Sequence, residues 1–160
     1  MRLNEALQSH IDQQFNKGYY PTKDELMSDN RQVVISREVG SRVSSRMGEL
    51  VSYGTFDNCR EHGITFQTPD SNLSLKDGWT FCVYEHRNSD EICVEGCPTS
   101  EVESYGPYGG ENKYDTLFST RYMDYDGAAD AICDALTFVA TTPNVTRQSV
   151  RDHLPASVSR

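Results

Sequence analysis

The sequence predicts an α+β fold in which helices come first, an antiparallel sheet follows and a further helix lies near the C-terminus. Three observations support this prediction. Apolar residues recur every three or four positions before residue 50, alternate with polar residues between 64 and 95, and return to helical spacing from 128 to 139. These are the periodicities of half-buried helices and strands. A chain of 160 residues can build one sizeable core or two small ones.

The first helix is predicted over residues 3–16, where an apolar residue recurs at every fourth position and forms one stripe along the helix. The residues of this stripe are Leu3, Leu7, Ile11 and Phe15. Gly18 ends the helix. His10 lies beside the stripe, so we expect it to be packed in the core and not to bind a metal.

A short second helix is predicted over about residues 22–28. Thr22 and Glu25 have the spacing of a capping box, in which each side chain bonds a free backbone amide at the start of the helix. Asp29 and Asn30 break this helix.

The third helix is predicted to begin after Ser36, a favoured N-cap residue, and to continue to about Leu50. Its buried stripe is predicted to contain Val39, Val43, Met47 and Leu50. At about 100° per residue, polar residues project from the opposite side. These are Arg37, Ser41, Arg42 and Ser45, with Arg46 near the boundary.

Alternating residues predict strands at 64–68, 79–85, 91–95 and 116–122, with turn-forming residues between them. The following helix contains the apolar positions of 128–139 and is opened by Asp124 or Asp126. Thr146 is a candidate cap for a short basic helix that ends at Leu154. We therefore divide the chain into 1–84, an acidic ββα region at 85–140 that continues the same sheet, and a basic tail at 141–160.

Residues 3–84 resemble a winged helix-turn-helix domain in the order and spacing of their elements and in the arginine and serine residues of the third helix. The segment Ser36 to Leu50 is similar to the recognition helix of archaeal and bacterial regulators. The resemblance implies three helices and a wing hairpin, with the third helix in the major groove of duplex DNA. The residues that would contact bases or phosphates are Arg37, Ser41, Arg42, Ser44, Ser45 and Arg46, with Lys76 on the wing. Arginines in this pattern are also typical of an ordinary solvated helix face.

The net charge of −9 is concentrated in one segment. Residues 85–134 contain twelve acidic and three basic residues, while both flanking segments are close to neutral. A DNA-binding surface must therefore be local, and the acidic segment is better suited to dimerisation or to a protein partner than to DNA. We expect a homodimeric transcriptional regulator. The alternative is a non-enzymatic interaction or inhibitor protein, of a viral or plasmid type, that acts through its acidic half.

The five cysteines are expected to be reduced thiols. Two pairs have spacings that suit a tetrahedral zinc site, with a third pair as an alternative. The zinc set is Cys59, His62, Cys93 and Cys97, and the alternative pair is Cys82 and His86. Paired CxxC spacing is absent and cysteine is commonly a small core residue, so we predict neither metal nor cofactor.

The sequence contains no nucleophile elbow, P-loop or dinucleotide fingerprint. Asp70 with Glu111, Asn112 and Lys113 imitates a metal-dependent nuclease pattern, but the last three follow two glycines in a predicted loop. We therefore expect a protein that is not an enzyme.

No apolar run is long enough to span a membrane and residues 1–20 lack a secretory core, which predicts a cytoplasmic location. Eleven arginines against four lysines, with the acidic total, resemble the composition of haloarchaeal proteins.

Overall fold

A computed structural model describes residues 1–57, 62–68, 78–85, 90–100 and 115–157, and the statements below concern these residues. Three helices come first: α1 (Leu3–Phe15), α2 (Lys23–Asp29) and α3 (Arg31–Met47). Five strands follow: β1 (Ser52–Asp57), β2 (His62–Gln67), β3 (Trp79–Glu85), β4 (Glu91–Pro98) and β5 (Asp115–Arg121). The chain continues with α4 (Tyr125–Thr141) and α5 (Arg147–His153). This α+β order confirms the predicted fold class at the level of elements.

The five strands form one antiparallel sheet in the order β1-β2-β3-β4-β5, so each strand pairs with its neighbours in the sequence. One face of the sheet is covered by α1, α3 and α4. Side chains from that face and from the helices form the main core, with Ile64, Phe66, Phe81, Val83 and Ile132 among its fully buried members. Because successive strand residues point to opposite faces, the residues between them lie on the other face. There Cys82, Tyr84, Cys93 and Phe56 form a second, smaller cluster.

The paired part of β2 and β3 is short. Register partners extend from Thr65 with Cys82 to Gln67 with Thr80. Next to this pairing, the side-chain amide of Gln32 on α3 inserts at β3. Its Nε2 donates to the Val83 carbonyl at 3.0 Å, and its Oε1 accepts from the Glu85 amide at 2.9 Å. A side chain of α3 thus makes the two hydrogen bonds that a neighbouring strand would otherwise provide.

Several helix boundaries agree with the capping residues in the sequence. The Thr22 side chain accepts from the Glu25 amide and opens α2. Asp124 caps α4 by accepting from the Gly127 amide. Thr146 and Ser149 form a reciprocal capping box at the start of α5.

The predicted start of α3 was wrong. The helix begins at Arg31, because the Asn30 side chain caps it by accepting from the Val33 amide at 3.0 Å. Ser36, predicted as the cap, is fully buried in the middle of the helix. Leu50 was also wrongly placed in the buried stripe, since it lies in a short 3₁₀ turn after α3 and is 66% exposed.

Two further elements differ from the prediction. Strand β1 was not predicted, since Ser52–Asp57 carries Gly54 and little regular alternation. In α1 the fully buried positions are Ala6 and His10, while Leu3 and Leu7 are only partly buried. The helix is therefore rotated from the predicted stripe toward His10. The burial of His10 agrees with its expected packing role.

Candidate functional site on the face of α3 and α4

The α3–α4 face is defined here as the surface formed by Arg37, Glu38, Arg42 and Arg46 of α3 with Asp126, Asp130 and Asp134 of α4. The two helices pack side by side. Arg42 contacts Asp126, and Arg46, four residues later, contacts Asp130, four residues after Asp126. Because the residue numbers of the paired side chains increase in the same direction along both helices, α3 and α4 run parallel. The face thus contains the three arginines among the seven residues that the sequence marks as DNA contacts.

The three serines of the predicted site differ in exposure. Ser41 and Ser45 are exposed, as their helical spacing predicts, whereas Ser44 is half-buried. Lys76, the predicted wing contact, lies outside the described residues. The structure therefore brings together six of the seven predicted contact residues on one helix and gives no position for the seventh.

Arg42 is held by two carboxylates. Its Nε lies 2.7 Å from Asp126 Oδ1, and its Nη1 lies 3.0 Å from Glu38 Oε2, one helical turn earlier. The guanidinium also lies over the ring of Tyr125, 5.5 Å from the ring centroid. Hydrogen bonding to Asp126 is the main cause that raises the pKa of Arg42, with a further contribution from Glu38. Arg42 is therefore held in position by two carboxylates of the same chain.

Arg46 and Arg37 also have partners. The Arg46 guanidinium bonds the Asp130 carboxylate, which raises the pKa of Arg46. Arg37 donates to the Met27 carbonyl at 3.3 Å and lies 3.9 Å from Glu38 Oε1. Each of the three predicted DNA-contacting arginines thus bonds a carboxylate or a carbonyl of the same chain.

In these ion pairs the carboxylates point outward. The side chains of Asp126 and Asp130 are 75% and 61% exposed, against 34% for Arg42 and 41% for Arg46. Asp134, one turn further along α4, is exposed as well. A molecule that approaches this face therefore meets carboxylates before guanidiniums. From the sequence, Asp126 is predicted only as a possible helix cap and the other two aspartates have no predicted role, although their repeat every four residues matches that of Arg42 and Arg46.

Arg31 at the start of α3 forms a second polar contact that the sequence analysis missed. Its Nη1 lies 3.1 Å from Glu85 Oε1 and 3.2 Å from Asp90 Oδ1, and the guanidinium stacks over Tyr122 at 4.3 Å from the ring centroid. These hydrogen bonds, led by the one to Asp90, raise the pKa of Arg31. The acidic middle segment thus supplies carboxylates to Arg31, Arg42 and Arg46 alike.

The candidate zinc residues do not converge where the structure describes them. His62 lies on the helix-covered face of the sheet, with its ring centroid 6.4 Å from that of His10, whereas Cys93 lies on the other face. Cys93 and Cys97 are four residues apart on one strand, or about 13 Å at strand spacing. In the described parts of the chain, no group of three or more His, Cys, Asp or Glu residues could hold a metal ion. Cys59 and His86 lie outside these parts.

The residues of the nuclease-like pattern, Asp70, Glu111, Asn112 and Lys113, also lie outside the described residues. Within the described ranges, no helix has the length and apolar character needed to cross a membrane. No family model, no curated protein and no solved structure matches the sequence.

Proposed function

We propose that the chain is a binding protein without a catalytic centre of its own, and that its α3–α4 face docks on a basic surface of a partner protein. The observation that supports this proposal is the outward position of the carboxylates in the pairs Arg42–Asp126 and Arg46–Asp130. This function corresponds to the interaction or inhibitor protein that the acidic middle segment suggests.

The charges of the α3–α4 face favour a cationic partner. Three arginines face four carboxylates there, and Asp126 and Asp130 are more exposed than the arginines that they bond. A phosphate that approaches Arg42 or Arg46 would be repelled by Asp126 and Asp130 and would have to displace them. A lysine or arginine of a partner would instead add a second cation to carboxylates that are already oriented. Such charge complementarity raises the association rate and contributes to specificity.

A direct test uses a short fluorescent oligoarginine peptide as the basic probe. We expect salt-dependent binding to the full chain, measured by fluorescence anisotropy, and a clear loss of affinity in the double variant Asp126→Asn/Asp130→Asn. The matched control is Glu5→Gln/Glu49→Gln, which removes the same charge at two exposed residues outside this face. Equal loss of affinity in both double variants would mean that only net charge matters and would reject the proposed face.

DNA binding through a winged helix-turn-helix is the second candidate. It is supported by the three N-terminal helices, by the antiparallel pairing of β2 with β3 at the predicted wing, and by the exposed Ser41 and Ser45 on α3. In this case Arg37, Arg42 and Arg46 exchange their intramolecular partners for phosphates or guanine edges. The homodimer stays a prediction under both candidates.

The two candidates differ in what Asp126→Asn/Asp130→Asn does. If α3 binds duplex DNA, this variant frees two guanidiniums and tightens binding in a gel shift, while Arg37→Ala/Arg42→Ala/Arg46→Ala abolishes it at low salt. If the face binds a basic protein surface, the aspartate variant loses oligoarginine binding and the wild-type chain gives no salt-dependent shift of duplex DNA.

A further inference from the structure

An open cleft with a volume of about 580 Å³ lies where α3 and α4 both begin. It is lined by Arg31 of α3, Asp90 before β4, and Arg121, Tyr122 and Met123 at the end of β5. The Tyr122 amide donates to the Asp90 carbonyl at 2.7 Å, which joins the two chain segments that form its wall. The cleft is therefore built by separate parts of the sequence that meet at one end of the helix pair.

Met123 is unusual in this cleft for two reasons. Its side chain is 67% exposed, although a methionine is more stable when it is buried. Its backbone has φ of 76°, a left-handed conformation that is costly for a residue with a long side chain. Strained residues of this kind tend to cluster at binding sites and ligand clamps.

The lining is suited to one aromatic side chain. The guanidinium of Arg31 and the ring of Tyr122 are already stacked, and both surfaces attract a further ring. The thioether of Met123 is adaptable and interacts favourably with aromatic edges. Arginine, tyrosine and methionine are also the residue types enriched at the cores of protein interfaces.

The cleft is continuous with the α3–α4 face. The rings of Tyr122 and Tyr125 are in edge-to-face contact with centroids 6.4 Å apart, and Tyr125 lies under Arg42, which bonds Asp126. A partner that covers the outward carboxylates therefore reaches the cleft without leaving the surface. Along α4 from its N-terminus, the cleft comes first and the carboxylates of Asp126 and Asp130 follow.

We infer that the cleft of Arg31, Tyr122 and Met123 receives one aromatic side chain of the same basic partner whose cations contact the α3–α4 face. This inference rests on the proposed function. It adds an aromatic side chain to the cations that the partner segment is proposed to carry. The aromatic group fills the cleft, and the flanking arginines or lysines of the segment lie over Asp126 and Asp130.

The experiment compares two fluorescent peptides on the full chain: oligoarginine with a central tryptophan, and the same peptide with a central alanine. We expect the tryptophan peptide to bind about tenfold more tightly, which corresponds to about 1.4 kcal/mol. The variant Met123→Asn should remove most of this advantage, so that it binds the two peptides with similar affinity. Asparagine tolerates the left-handed conformation, so the turn is retained.

The matched control is Leu50→Asn, since Leu50 is 66% exposed and lies beyond the opposite end of α3. It should keep the full tryptophan advantage. Equal affinities of the two peptides for the wild-type chain would overturn the inference while leaving the proposed function in place. Failure of both peptides to bind would reject the proposed function and the inference together.

Discussion

At the scale of single residues, the side chains of α3 show how far local periodicity can be used. Helical spacing correctly predicts that Ser41 and Ser45 are exposed and that Val39 and Val43 are buried. It cannot predict the partners of Arg42 and Arg46, because Asp126 and Asp130 are each 84 residues away in the sequence. These contacts depend on how α3 and α4 dock, and docking is decided by the whole core.

The turn at Met123 leads to a prediction about stability. A non-glycine residue in the left-handed region costs on the order of 1–3 kcal/mol. We expect Met123→Gly to raise the free energy of unfolding by about 1 kcal/mol after the entropy of glycine in the unfolded chain is subtracted. Urea denaturation measures this change. Asn144 also has positive φ, of 55°, and the control Asn144→Gly should have a smaller effect because asparagine is tolerated there.

Tyr125 leads to a prediction about alkaline pH. Burial, with a smaller contribution from Tyr122, raises the pKa of Tyr125 from 10.0 to about 12. The folded chain therefore holds the phenol proton more tightly than the unfolded chain does. The resulting stability is fully present below pH 10 and is lost as the pH rises from about 10 to about 12.

The test of this prediction is the urea midpoint measured across that pH window. Tyr125→Phe cannot ionise, so its stability should fall less steeply than that of the wild type. Tyr19→Phe serves as the control because Tyr19 is an exposed side chain and should leave the slope unchanged. A wild-type slope in Tyr125→Phe would contradict the assignment of the shift to this residue.

At the scale of elements, capping residues correctly predicted where three of the helices begin. Thr22, Asp124 and Thr146 each accept a backbone amide at a helix start. The start of α3 was mistaken because both Asn30 and Ser36 are good caps, and local sequence does not say which one is used. The choice is made by packing, since a helix from Arg31 buries both Val33 and Ile35, and Ile35 joins the main core.

Gln32 gives a prediction at this scale. Gln32→Ala removes both hydrogen bonds to β3 and leaves the Val83 carbonyl and the Glu85 amide without their side-chain partner. We expect a loss of about 1–3 kcal/mol in the free energy of unfolding. Amide hydrogen exchange at Glu85 should become faster. The control Gln8→Ala removes an exposed contact to Asp12 and should change stability by less than about 0.5 kcal/mol.

At the scale of the whole molecule, one core spans both sides of the division that we drew after residue 84. Val39 and Val43 of α3 share a cluster with Ile132 and Leu136 of α4 and with strands from both sides. We placed the division there because the acidic composition begins at this point, and the prediction already has the acidic region continue the same sheet. Composition describes surface charge, however, and the core is continuous underneath it.

The fragment 1–84 is therefore expected not to fold alone. Cutting after residue 84 separates β3 from β4 and exposes Phe81 and Val83, which are fully buried in the chain. We expect the full chain to unfold in one cooperative transition and the fragment to give a poorly dispersed amide spectrum. A well-dispersed spectrum with protected amides in α3 would show that this half is an independent domain.

The parallel course of α3 and α4 limits how this protein can change during evolution. The two ion pairs repeat with the same four-residue step on both helices. They therefore fix the register of α3 relative to α4. Inserting or deleting one residue in either helix before the first pair would turn the rest of that helix by about 100° and separate both pairs at once. Substitutions at these positions can be accepted one at a time, but a change of length in one helix requires a compensating change in the other.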